Sequence, residues 1–130
     1  DNFAEAREIV AWKEDVASKW DQIKVISADI NDLSGSTIRT GRELKAQCVL
    51  DAKGLGKSIH VELVAYREKD GESTFDDARE LKLVKIENGL SYYELDTTFE
   101  NSGVFNFSFR MYPWNDKLPH RQDFAYLRWF

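Results

Sequence analysis

The hydrophobic period of the chain changes near residue 23, and this change restricts the possible folds more than any other feature. Before it, large apolar residues recur at spacings of three and four, as on one face of an α-helix. They are Ile9, Trp12, Val16 and Trp20. After it, apolar and polar residues alternate, which is the period of half-buried β-strands. Because helical and strand patterns do not alternate along the chain, the repeated strand–helix units of a parallel sheet are excluded.

The alternating part of the chain divides into about seven short strands. They are predicted near residues 26–30, 44–50, 59–65, 80–87, 93–99, 105–111 and 124–130. The strand at 105–111 is the clearest, because every second residue from Phe105 to Met111 is large and apolar. Asn88 and Gly89 form a hairpin-turn signal between two of the strands. Half-buried strands at such short intervals are typical of an immunoglobulin-like antiparallel β-sandwich.

We therefore predict a mostly β chain in two parts. The N-terminal helix occupies residues 1–22, with its helical pattern over 3–22, and the sandwich domain occupies residues 23–130. The tryptophan-bearing face of the helix must dock, either on the sandwich or on a neighbouring domain. The chain begins at Asp1 inside a helical pattern, which we interpret as a processed chain or a piece of a longer protein. The aromatic pair Trp129 and Phe130 is interpreted as a natural C-terminus.

Composition restricts the class of protein further. Apolar residues make up 42% and aromatic residues 13% of the 130 residues, which is too rich for a disordered segment. The net charge of −5 disfavours a nucleic-acid partner, since phosphates attract a basic face. No stretch of the sequence resembles a membrane span or a signal peptide, so no membrane partner is expected. Cys48 is the single cysteine, which excludes an internal disulfide and fits a cytoplasmic location.

Residues suited to catalysis are few and scattered. His60 and His120 lie on different predicted elements, and His60 falls on the polar face of its strand. Cys48 alternates with leucines, which indicates core packing instead of a nucleophile. The carboxylates in residues 76–80 are interpreted as a solvated loop, and the glycines in 54–57 as a turn. The sequence therefore predicts no catalytic residue, no metal site and no enzyme activity for this chain.

Trp114 is the tryptophan whose position has no periodic reason for burial. It follows Pro113 and precedes a polar loop that starts at Asn115. Sugar rings dock on exposed aromatic faces flanked by polar groups, so we expect Trp114, helped by Tyr112 and Asn115, to stack against a carbohydrate. In the alternative interpretation Trp114 folds back as a loop anchor, covers the open end of the sandwich and binds nothing.

Both ends of the chain resemble the C-terminal part of bacterial α-glucan phosphorylases. The N-terminal residues that carry the resemblance are Ala4 to Lys13 and Trp20 to Ile23. The C-terminal ones are Gly103 to Phe105, Arg110 to Pro113, Leu118 to Phe124 and Leu127 to Trp129. The sequence departs from the family at Asn115 and Asp116, where a His-Pro pair is frequent.

The resemblance implies a parent enzyme that transfers glucosyl units between α-1,4-glucan and phosphate with pyridoxal phosphate. Its catalytic lobes need far more than these 130 residues, so the resemblance carries no catalytic residue and no cofactor onto this chain. It implies a non-catalytic C-terminal β-sandwich that braces the catalytic lobes of the same chain or assists α-1,4-glucan binding.

Two other functions stay open at the level of sequence. The first is a free-standing immunoglobulin-like interaction domain, in which the helix carrying Trp12 and Trp20 docks a protein partner. The second is a small independent hydrolase that uses the carboxylates near Asp76, for which the sequence offers little support.

Overall fold

The computed structural model describes residues 2–32, 42–99, 104–118, 124 and 126–130. A helix α1 (Asn2–Lys19) runs into one 3₁₀ turn (Trp20–Gln22), and a second 3₁₀ turn (Gly56–Ser58) precedes the third strand. The strands are β1 (Lys24–Asp32), β2 (Arg42–Asp51), β3 (Ile59–Lys69), β4 (Glu72–Glu87), β5 (Leu90–Phe99), β6 (Val104–Pro113) and β7 (Arg128–Trp129).

The strands form one antiparallel sheet in the order β1-β2-β5-β4-β3-β6-β7. Strand β4 is the link between its two halves, because residues up to Leu81 pair with β3 and residues from Lys82 pair with β5. The sheet curls at this link and encloses the core. The mostly β class, the seven antiparallel strands and the leading helix are thus confirmed. The immunoglobulin-like sandwich is not confirmed, because the seven strands join in one curled sheet.

Tight turns set the register of the hairpins on both sides of β4. Asn88 and Gly89 have φ values of 53° and 78°, which fits the two-residue hairpin expected there. Asp70 and Gly71 have φ values of 54° and 81°, and they join β3 directly to β4. Strand β4 therefore starts at Glu72, well before the residue 80 that the sequence predicted. The carboxylates of residues 76–80, expected in a loop, lie in this strand.

The core lies between the inner faces of the two half-sheets. Its largest contributions come from Leu44, Ala46, Cys48 and Leu50 of β2, Val61, Leu63 and Ala65 of β3, Leu81 of β4, Tyr93 of β5, and Phe109 and Met111 of β6. Val16 and Trp20 belong to the same core with exposures of 0% and 5%. Burying a side chain the size of Val16 contributes about 1.5–3 kcal/mol, so the helix is held by the strands.

Strand β1 lies at the edge of the sheet and departs from the simple alternation. The register shifts between Val25 and Ser27, so Ile26 is the extra residue of a bulge and is 53% exposed. Ala28 is exposed as well. Ala28 lies opposite the buried Cys48 and shares its inner face, but the edge position leaves it exposed. The burial that the alternation indicates for Ile26 is wrong, because the bulge exposes this residue.

The predicted division at residue 22 into two domains stays a prediction. The side chain of Phe105 and all of His120 lie outside the described residues. Of the predicted closing strand at 124–130, the described residues place Arg128–Trp129 in β7.

Candidate functional site

Three rings meet where β3 begins and β6 ends. The register of these strands places His60 opposite Tyr112. The ring of Trp114 stacks on His60 with 4.8 Å between centroids and 20° between planes, and Tyr112 meets the same imidazole edge-on at 5.5 Å. We call His60, Tyr112 and Trp114 the Trp114 cluster. Tyr112 is 8% exposed and Trp114 is half-buried. Because His60 stacks on Trp114, one face of the indole is covered.

The loop after Trp114 is fastened by its own hydrogen bonds. The backbone N–H of Trp114 donates to the Ser58 carbonyl at 2.8 Å, and its indole N–H donates to an Asp116 carboxylate oxygen at 3.2 Å. The Asn115 side-chain oxygen accepts the Lys117 backbone N–H at 2.9 Å. The ammonium of Lys117 pairs with Glu8 of α1. The Asn115 side-chain oxygen and the Trp114 indole N–H are therefore engaged within the loop, and a role of Trp114, Tyr112 and Asn115 in carbohydrate binding stays a prediction.

The four apolar residues that were predicted to dock the helix, three in α1 and Trp20 in the 3₁₀ turn after it, differ in how deeply they are buried. Val16 and Trp20 lie in the core, whereas Ile9 and Trp12 are half-buried. The Trp12 indole N–H donates to the Ser58 hydroxyl at 2.9 Å, and its ring contacts Phe124 at 5.3 Å. Since the Ser58 carbonyl also accepts the Trp114 backbone N–H, the helix and the Trp114 loop converge on one residue.

Arg128 fastens the C-terminal end of the helix to β7. Its guanidinium donates to the carbonyl of Ile23 at 2.7 Å and to that of Trp20 at 2.5 Å. The same guanidinium lies 5.6 Å from the centre of the Trp20 ring. Charge-assisted bonds to backbone carbonyls are about twice as strong as neutral ones, so the helix end and the last strand form one unit.

A second group of rings lies on the outer face of β3, β4 and β7, and sequence reasoning missed it. Tyr66 contacts Phe75 and Trp129, with 6.3 Å between ring centroids in both pairs. Phe75 is 54% and Trp129 44% exposed. We call these three residues the outer aromatic row. His60 and Tyr66 are an even number of residues apart on β3, so the alternation of the strand could have placed Tyr66 on the outer face. Phe75 could not be placed in this way, because its stretch was interpreted as a loop.

The structure places His60 beside Glu80 and buries Cys48 in the core. His60 lies 3.5 Å from Glu80, and Asp77 accepts a hydrogen bond from Arg79 at 2.8 Å. Within the described ranges, no group of three or more His, Cys, Asp or Glu residues is placed to hold a metal ion. Cys48 is 1% exposed, and burial raises the pKa of its thiol to about 12, which leaves it protonated at neutral pH.

Pyridoxal phosphate does not fit the described residues. The cofactor requires a lysine amine that is desolvated and close to other groups that hold the phosphate and the ring. Every lysine of the chain lies in the described ranges, and none of them is buried. No helix in the described part of the chain has the length and apolar character that a membrane span needs.

Comparison with known proteins agrees with the resemblance of the two chain ends. Neither a curated protein nor a solved structure matches the chain. A family model described as "Glycogen phosphorylase C-terminal domain" matches residues 20–130. The match begins at Trp20, immediately after α1, and includes all seven strands. Since it covers most of the 130 residues, the chain belongs to the glycogen phosphorylase C-terminal domain family.

Proposed function

We propose that this chain is the non-catalytic C-terminal domain of an α-glucan phosphorylase-like glycosyltransferase and braces its catalytic lobes. The family match over residues 20–130 supports the parent enzyme. The catalytic residues and pyridoxal phosphate then belong to a preceding part of the same chain, and the location is the cytoplasm.

The position of α1 is the observation that carries the bracing role. One side of the helix is fixed to the strands through Val16 and Trp20, which are 0% and 5% exposed. Val10 lies about 120° around the helix from Val16, given 100° per residue. Val10 is 55% exposed, and Phe3, seven residues before it on the same side, is 76% exposed. A helix fixed on one side with apolar residues on another is suited to transmit rigidity between two domains.

The bonds around Ser58 support the same role. Trp12 of the helix and Trp114 of the β6 loop both donate to Ser58, and Lys117 pairs with Glu8. These bonds connect α1 to the start of β3 and to the loop after β6, at the same end of the sheet. Within this proposal Trp114 is a structural anchor whose ring covers His60.

A substitution at Val10 tests the bracing role in the parent enzyme. Glutamate has a higher helix propensity than valine, so Val10→Glu should leave the 130-residue chain folded and within about 0.5 kcal/mol of its stability. In the parent it should place a charge in an apolar interface, lower the melting temperature by several degrees and reduce phosphorolysis. Val84→Glu is the matched control, since Val84 has a similar exposure of 50% but lies on β4 instead of α1.

The bracing role predicts different effects of the two substitutions on the parent enzyme. A brace requires that Val10→Glu weakens the parent and that Val84→Glu does not. Equal behaviour of both variants in the parent would contradict the brace. A gene without phosphorylase lobes before Asp1 would favour the free-standing interaction domain.

A further inference from the structure

The outer aromatic row lies on a face that the brace does not use. Tyr66, Phe75 and Trp129 project from the outer side of β3, β4 and β7, whereas α1 packs against the core. Tyr66 stands between the other two rings, 6.3 Å from each. Phe75 and Trp129 are 54% and 44% exposed, which is high for large aromatic side chains.

The rings of the row meet one another at large angles. Tyr66 and Phe75 meet at 81°, and Tyr66 and Trp129 at 46°, so none of them stacks face to face on another. Trp114 differs, because its ring lies at only 20° to that of His60 and one face is covered. Sugar rings stack on aromatic faces through their C–H groups, so these exposed rings suit a sugar chain better than the Trp114 cluster does.

Two ion pairs lie beside the row. The Nε–H of Arg110 donates to a Glu62 carboxylate oxygen at 2.6 Å, and its guanidinium lies 5.5 Å from the Trp129 ring centre. On the Phe75 side, Arg67 lies 3.7 Å from Asp76. Paired charges present hydrogen-bond donors and acceptors without a net field. Such a face complements a neutral, hydroxyl-rich polymer and gives no advantage to a polyanion.

We propose that the outer aromatic row is a binding surface for a neutral α-1,4-glucan chain. Sugar rings lie on Trp129 and Phe75, and the guanidinium of Arg110, which has five N–H donors, donates to sugar hydroxyls. The substrate class rests on the proposed function, since the family match points to a glucan-processing parent. The surface would hold a long glucan on the domain while its end is processed elsewhere.

Maltoheptaose titration of the 130-residue chain, followed by ¹H–¹⁵N NMR, tests this surface. We expect saturable shifts centred on Tyr66, Phe75 and Trp129. Trp129→Ala should weaken the apparent Kd at least about fivefold, the scale of one lost aromatic contact. Trp129→Phe keeps a ring and should stay within about threefold of the wild type. Tyr92→Ala is the matched control, because Tyr92 also has a cation over its ring, Lys85 at 4.4 Å, but lies on the other half-sheet.

Three results would overturn the proposal. They are an absence of shifts in the wild type, equal weakening by Trp129→Ala and Tyr92→Ala, and loss of binding in Trp114→Ala with Trp129→Ala unchanged. The last result would place the site at the Trp114 cluster. This inference can fail while the brace stands, because Val10→Glu in the parent enzyme does not depend on glucan binding by the row.

Discussion

Replacing Trp20, which begins the 3₁₀ turn after α1, with alanine should remove a buried attachment of the N-terminal helix to the core. The Trp20 side chain is 5% exposed, its ring lies 5.6 Å from that of Tyr126, and the Arg128 guanidinium lies over it. A buried tryptophan removes roughly 150–250 Å² from water, which corresponds to about 4–6 kcal/mol at ~25 cal/mol per Å². Because the cavity relaxes in part, Trp20→Ala should cost about 3–5 kcal/mol of unfolding free energy.

Urea denaturation of the 130-residue chain measures this cost. With an m-value of about 2 kcal/mol/M, the midpoint should fall by roughly 2 M. Trp129→Ala is the matched control, since Trp129 is 44% exposed and should cost about 1 kcal/mol. A loss below about 1 kcal/mol for Trp20→Ala would refute the reasoning, because the helix would then depend on something other than this core.

Three further changes have defined outcomes. Gly56→Ala should cost about 2–4 kcal/mol by thermal denaturation, because its Cβ would stand 2.3 Å from the Ser91 hydroxyl oxygen, and an unchanged melting temperature would be contrary evidence. Trp114→Ala should lower the free energy of unfolding by about 1–2 kcal/mol through loss of the His60 stack. An unchanged melting curve would contradict the role of Trp114 as a structural anchor. Burial raises the pKa of Cys48 to about 12. From about pH 9 upward the unfolded chain therefore releases a thiol proton that the folded chain keeps, so stability falls as pH rises. Cys48→Ala should flatten that fall, and identical pH profiles would disprove it.

Local patterns were sufficient for the helix and for most strands. The spacing of Val16 and Trp20 reflects which side of α1 meets the core, and the alternation along β2 and β3 reflects two faces of a sheet. Both signals are local, because the buried face repeats with the period of the element itself. Asn88 and Gly89 identified their hairpin for a similar reason, since the turn needs two residues at positive φ.

The first half of β4 had no such local signal. Residues Glu72 to Phe75 are all exposed, so neither face of this part of the strand is buried. Apolar and polar residues therefore do not alternate here, and the sequence gives no sign of a strand. Their extended conformation comes from pairing with β3 across the Asp70–Gly71 turn, and Asp76 is the extra residue where the register shifts. In edge strand β1 the strand was predicted, but the burial of Ile26 was not. The apolar side chain of Ile26 suggested burial, whereas a bulge leaves it exposed.

Neither candidate surface could be assembled from sequence spacing. His60 meets Trp114 because β3 pairs with β6, and Trp129 meets Tyr66 because β7 adds to the far side of β6. These contacts depend on strand order and register between distant segments. The sequence identified Trp114 as unusual, but it could not show that His60 covers one face of its ring.

Phosphate-dependent release of glucose 1-phosphate from maltoheptaose tests the central claim most directly. The 130-residue chain and the full parent enzyme should be assayed side by side, each with added pyridoxal phosphate. We predict turnover by the parent and none by the chain alone, together with no cofactor absorbance band on the chain. Phosphate-dependent turnover by the isolated chain would contradict its assignment as a non-catalytic domain.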